Sequence, residues 1–70
     1  MDLFRMKKVK GNFVTYAEFS EDSGSYEVLW STTDLLGDGF LETEYSRNLS
    51  KEKVIDLALD LIDEGWKRLV

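Results

Sequence analysis

Apolar positions along this chain follow two rhythms: a period of two from Phe13 to Ser46, then spacings of three and four from Val54 to Trp66. In Phe13 to Phe19, the residues Phe13, Thr15, Ala17 and Phe19 share one face, and Val14, Tyr16 and Glu18 share the other. The segment is rich in aromatic and β-branched residues, as strands are. Tyr26 to Thr33 sets Tyr26, Val28 and Trp30 against Glu27, Leu29 and Ser31; Phe40 to Ser46 sets Phe40, Glu42 and Glu44 against Leu41, Thr43 and Tyr45. Polar Ser20 to Ser25 reads as a hairpin loop, and Asp34 to Gly39 as the second connection. Residues 3–9 read either as a short first strand or as a flexible basic arm, ended by turn chemistry at Lys10-Gly11-Asn12. With acids on one face and apolar residues on the other, such a sheet is expected to be covered on one side only.

The helical rhythm begins at Ser50, a good N-cap, with Leu49 and Val54 at the positions of a hydrophobic staple. Val54, Ile55, Leu57, Ala58, Leu59, Leu61, Ile62 and Trp66 cover an arc of about 200°, while Glu52, Lys53, Asp56, Asp60, Asp63, Glu64 and Lys67 fill the rest. Gly65 marks the stop. Residues 66–70 then form a short terminal strand or pack down. The expected fold is α+β: a three- or four-stranded antiparallel sheet with one C-terminal amphipathic helix on one face, β-β-β-α, in a single domain over residues 1–70. Within it, 1–10 is the basic arm or first strand, 13–46 the acidic sheet and 50–65 the helix. The helical arc is wider than one sheet face needs, so either Trp66 and the last residues cover the excess or a second copy does, as a homodimer.

Composition narrows the chemistry. The 70 residues are 43% apolar and 33% charged, with neither cysteine nor histidine. Disulfides, thiolate nucleophiles, zinc-binding cysteines and imidazole proton shuttles are therefore excluded. No stretch approaches the roughly 20 apolar residues of a membrane span, and no apolar signal-peptide core opens the chain. A cytoplasmic protein with no membrane association, no cofactor and no enzymatic activity is expected.

The net charge of −5 is unevenly spread. Residues 1–10 carry four bases and one acid, residues 11–46 carry eight acids and no base, and residues 47–70 carry five of each. Because those acids are interleaved with aromatics, they belong to a folded surface. Such a surface attracts basic proteins and repels polyanions.

Candidate motifs mostly fail on spacing. A calcium loop over Asp34 to Tyr45 has Leu36 at its third position and Tyr45 where a bidentate Glu is required. Gly37-Asp38-Gly39 lacks the spacer and the Lys-Ser/Thr of a phosphate loop. Asp56, Asp60 and Asp63 form a carboxylate stripe on the helix, offset by Lys53 and Lys67, and read as a solvated face with no metal bound. Asn48-Leu49-Ser50 fits a glycosylation acceptor, but Ser50 is better explained as the cap. Arg5 to Lys10, followed by Phe13 and Tyr16, combines bases with aromatics as nucleic-acid sites do. The acids next door oppose any polyanion, so direct nucleic-acid binding through this arm is only an alternative expectation.

Glu21-Asp22-Ser23-Gly24-Ser25-Tyr26-Glu27-Val28, then Asp34-Leu35-Leu36-Gly37, then a third strand and a Ser-capped helix, resemble the N-terminal domain of HicB-type antitoxins over residues 19–64. That family shows an acidic-glycine hairpin followed by Tyr-x-Val, an Asp-Leu-Pro-Gly turn and a helix opened by Thr or Ser. Leu36 stands here in place of the turn proline, the segment from Gly39 to Ser50 is longer, and no C-terminal DNA-binding module is expected. The resemblance implies a β-β-β-α domain that sequesters a small basic RNA-cleaving toxin. Small acidic phage-encoded inhibitors of nucleic-acid enzymes share the same general character. The expected function is thus a non-enzymatic inhibitor or antitoxin-like module whose acidic face blocks the basic site of a nucleic-acid-binding protein or enzyme. The expected contacts are Glu18, Glu27, Glu42 and Glu44 on strands and Glu21, Asp22 and Asp38 in loops, with Tyr16 or Trp30 as the apolar anchor. A homodimeric structural module is the alternative.

Overall fold

The computed structural model describes residues 1–35 and 40–69, with only the backbone of Phe40 and Leu41. Its elements are β1 (Asp2–Lys10), β2 (Phe13–Asp22), β3 (Ser25–Asp34), β4 (Phe40–Leu49), α1 (Lys51–Asp63) and β5 (Lys67–Leu69). The strands form one antiparallel sheet of order β4-β3-β2-β1-β5. The α+β class and the single helix agree with the sequence pattern, but the sheet has five strands, not three or four.

Both added strands lie at one edge. Residues 3–9 are a strand, because Phe4 and Met6 sit opposite Phe19 and Ala17 and so bring an apolar row to the sheet. Arg5, Lys7 and Val9 point to the other face, which is why the segment also reads as a basic arm. β5 pairs Lys67, Arg68 and Leu69 with Lys7, Met6 and Arg5. Three residues, two of them basic, carry no periodicity of their own; this strand exists because the end of the helix delivers it there.

The β2–β3 hairpin is tighter than its polar sequence predicts. Asp22 pairs with Ser25, leaving only Ser23 and Gly24 in the turn, at φ of 53° and 83°. Two successive positive φ values are the mark of a type I′ turn, whose twist matches the flanking strands. Ser20, Glu21 and Asp22 are therefore strand residues. In β4, Arg47 and Asn48 together oppose Glu27, and Asn48 takes a φ of 58°; this bulge lets the strand run on to Leu49.

α1 starts as the sequence requires. Ser50 is extended, and its Oγ accepts a hydrogen bond from the Lys53 N–H at 3.2 Å. At the other end the Gly65 N–H donates to the Ile62 carbonyl and the Trp66 N–H to the Leu61 carbonyl, each at 3.0 Å. With Gly65 at φ 96°, this is a Schellman motif. The last turn of the helix contains no base. Lys8 of β1 supplies one, its Nζ donating to the Glu64 carbonyl at 2.8 Å.

The helix thus runs from the end of β4 to β1. On the way it buries Val54 and Leu61 against Met6, Ala17, Phe19 and Val28. Trp66 meets Trp30 edge to face, with centroids 5.9 Å apart. Ile55, Leu59 and Ile62 remain 48%, 59% and 55% exposed, so Trp66 does not use up the wide apolar arc.

Replacing Gly65 isolates the cost of the turn, because a Cβ there meets no atom within 4 Å. Gly65→Ala is expected to destabilise by about 1–2 kcal/mol through the left-handed backbone alone, read as a lower urea midpoint with an unchanged slope.

Candidate functional site

The described residues proposed as contacts do not share one surface. Cross-strand pairing places Glu18 in a row with Arg5, Leu29 and Tyr45, and Tyr16 in a row with Lys7, Ser31 and Thr43, on the sheet face away from the helix. Glu27 lies on that same face. Both glutamates there have basic neighbours: Arg5 is 3.9 Å from Glu18, and Arg47 is 3.8 Å from Glu27. Arg47 also stacks over the Tyr45 ring at 4.5 Å. Glu21 and Asp22 stand at the hairpin end of β2. Asp38 lies outside the described residues.

Glu42 and Glu44 are on the helix side, opposite Thr32 and Trp30. The expectation that the acidic and the covered faces are different is therefore corrected for β4. Glu44 stands opposite Trp30, and both glutamates are exposed. Together with Trp30, Thr15 and Thr32 they line an open cavity of about 190 Å³.

The internal groups of this cavity are already satisfied. Thr15 and Thr32 share a hydroxyl hydrogen bond of 3.1 Å, and the Trp30 indole N–H donates to Ser46 Oγ at 3.1 Å. Among the described residues, neither Glu42 nor Glu44 forms an ion pair. The α-carbons of two residues spaced i,i+2 on a strand lie about 6.8 Å apart, so both carboxylates rise from one face, with Trp30 opposite Glu44. That arrangement suits a cationic side chain of a partner. No group of three or more metal-ligating side chains is found among the described residues.

Topology also sorts charge in a way that no segment of sequence displays. β1 and β5 are neighbours, so Arg5, Lys7, Lys8 and Lys10 stand beside Lys67 and Arg68 at one sheet edge. Glu42 and Glu44 occupy the opposite edge, and the exposed side of α1 carries Glu52, Asp56, Asp60 and Asp63. Reading the sequence alone missed Lys67 and Arg68, which lie some 60 residues from their neighbours in a strand too short to signal itself.

Compared with known proteins, the chain matches no family model, no curated protein and no solved structure. No helix among the described residues is long and apolar enough to cross a membrane.

Tyr26 is the cross-strand partner of Glu21, and the hydrogen bond between their side chains holds the phenol above the usual tyrosine range, with lesser contributions from burial and the Glu21 charge. The fold therefore favours the protonated phenol. Its stabilising contribution is complete below the ordinary tyrosine pKa and is lost as pH rises through the raised value. Glu21→Gln is expected to shift the Tyr26 ionisation downward in an ultraviolet titration; an unmoved curve would exclude this bond as the cause.

Proposed function

We propose that this chain is a non-catalytic, antitoxin-like protein-binding module that sets its acidic side against the basic site of a nucleic-acid-handling protein and blocks it. The observation that carries this reading is the cavity formed by Glu42, Glu44 and Trp30 at the acidic sheet edge. It combines two carboxylates without ion-pair partners among the described residues and an aromatic surface. Aromatic anchors supply most interface energy, while surrounding charges mainly accelerate encounter. The acidic side of α1 extends the same sign of charge beyond the cavity. Glu18 and Glu27 drop out of the contact set, because Arg5 and Arg47 neutralise them on the far face.

A dimer is the second reading, favoured by the exposed stripe of Ile55, Leu59 and Ile62. An antiparallel pairing of two such helices would bring Glu52, Asp56 and Asp63, on one flank of the stripe, against their own copies. That repulsion counts against the dimer.

The test is capture of the partner from a bacterial lysate at low and high salt, with the parent chain and with Glu42→Lys/Glu44→Lys. The expected result is a basic nucleic-acid enzyme held at low salt by the parent and lost by the folded double variant. Equal capture by both removes this edge as the contact. Sedimentation of the parent and of Leu59→Glu tests the dimer, which a monomer at every concentration would rule out.

A further inference from the structure

We propose that the edge built by β1 and β5 binds single-stranded nucleic acid through its phosphates. This inference is independent of the acidic side's partner, and it reverses the expectation that the chain repels polyanions. Of the acids in residues 11–46, Glu18 does stand beside Arg5, at 3.9 Å, but Glu42 and Glu44 do not neighbour the N-terminal bases. In the sheet, β4 lies three strand spacings from β1, roughly 14 Å, beyond the Debye length of about 8 Å at physiological salt. The Glu42 and Glu44 charges are thus largely screened at the basic edge.

Three features point to an anionic occupant. Lys7 and Lys67 are direct cross-strand partners on the face away from the helix. Like charges so placed are destabilising, and nothing in the packing of the fold requires them. Second, the two cavities at this edge are both lined by bases. One, of about 390 Å³, is formed by Lys7, Lys8, Val9, Gly65 and Lys67, and no carboxylate lines it. The other, of about 330 Å³, lies further along β1 and includes Arg5 and Arg68, with Glu18 and Asp2 as its acids. Third, Tyr16 is the register partner of Lys7 on the exposed face, beside the basic row.

Bases tracking a backbone next to an aromatic platform are the physical requirements for binding a single strand. An acidic peptide would satisfy the lysines but leave the tyrosine unused. A duplex offers no unstacked base to it, and among the described residues the only helix lies on the other face of the sheet, so none enters a groove from this one.

The experiment is fluorescence anisotropy of a labelled single-stranded oligothymidine titrated with the whole chain at several salt concentrations. Engagement of Lys7 and Lys67, the two bases that share the face of Tyr16 without an acidic partner among the described residues, predicts that log Kobs falls with log salt at a slope of about −1.4. Lys7→Gln/Lys67→Gln is expected to lower affinity about tenfold at low salt and to bring that slope close to zero. The same variant is expected to melt no lower than the parent, since it removes a repulsive pair; this separates loss of a binding site from loss of the fold. Tyr16→Leu is expected to weaken binding without changing the slope. Absence of an anisotropy change at low salt overturns the proposal, as does undiminished binding by the double variant. Binding of anionic vesicles but not of the oligonucleotide overturns it too, and assigns the edge to a membrane surface.

Discussion

The end of the helix is the joint on which this architecture turns. Gly65 adopts a backbone conformation closed to most residues, and the Trp66 N–H reaches back to the Leu61 carbonyl to close the motif. Lys8 then clamps the Glu64 carbonyl from β1. These contacts fix where α1 stops, set Trp66 against Trp30, and send the chain back along β1 as β5. Without that reversal the sheet would end at β1, and Lys67 and Arg68 would have no place beside Arg5 and Lys7.

The same joint explains why one face of the sheet is only partly covered. A single helix of 13 residues, about 20 Å long, spans from β4 to β1 but cannot shield both sides of its path. On one side the sheet stays open at Trp30, Glu42 and Glu44, where polar groups bond one another at the floor of a small cavity. Its own outer flank keeps Ile55, Leu59 and Ile62 in contact with solvent. The molecule is therefore polar at both sheet edges, acidic at β4 and basic at β1 and β5, with an apolar stripe on the helix. The two edges carry separate proposals because strand order, not chain order, separates them.

Particular residues show how much of this was legible beforehand. Ser50, Gly65 and the Val54–Leu61 spacing announce the helix, because capping and amphipathicity act within a few residues and leave a local record. The alternation in β2 and β3 is equally local. Their lengths were underestimated, since Ser20 to Ser25 looks like loop and only the register at Asp22 and Ser25 shows a two-residue turn. β1 was ambiguous because its apolar and basic residues alternate, a pattern that an arm and a strand share. Of the candidate contacts, Trp30, Glu42 and Glu44 converge, while Glu18, Glu27 and Tyr16 occupy the opposite face.

By itself the sequence determined the class of the fold, the helix and its two ends, the antiparallel strands and the absence of cysteine and histidine chemistry. These follow from interactions between residues close in the chain, or from composition. The tertiary structure alone decided that five strands form, that Glu42 and Glu44 lie beside the helix, and that bases from both ends of the chain share one edge. Each of those depends on which strand becomes the neighbour of which, a choice made by packing between residues distant in sequence and absent from any local pattern.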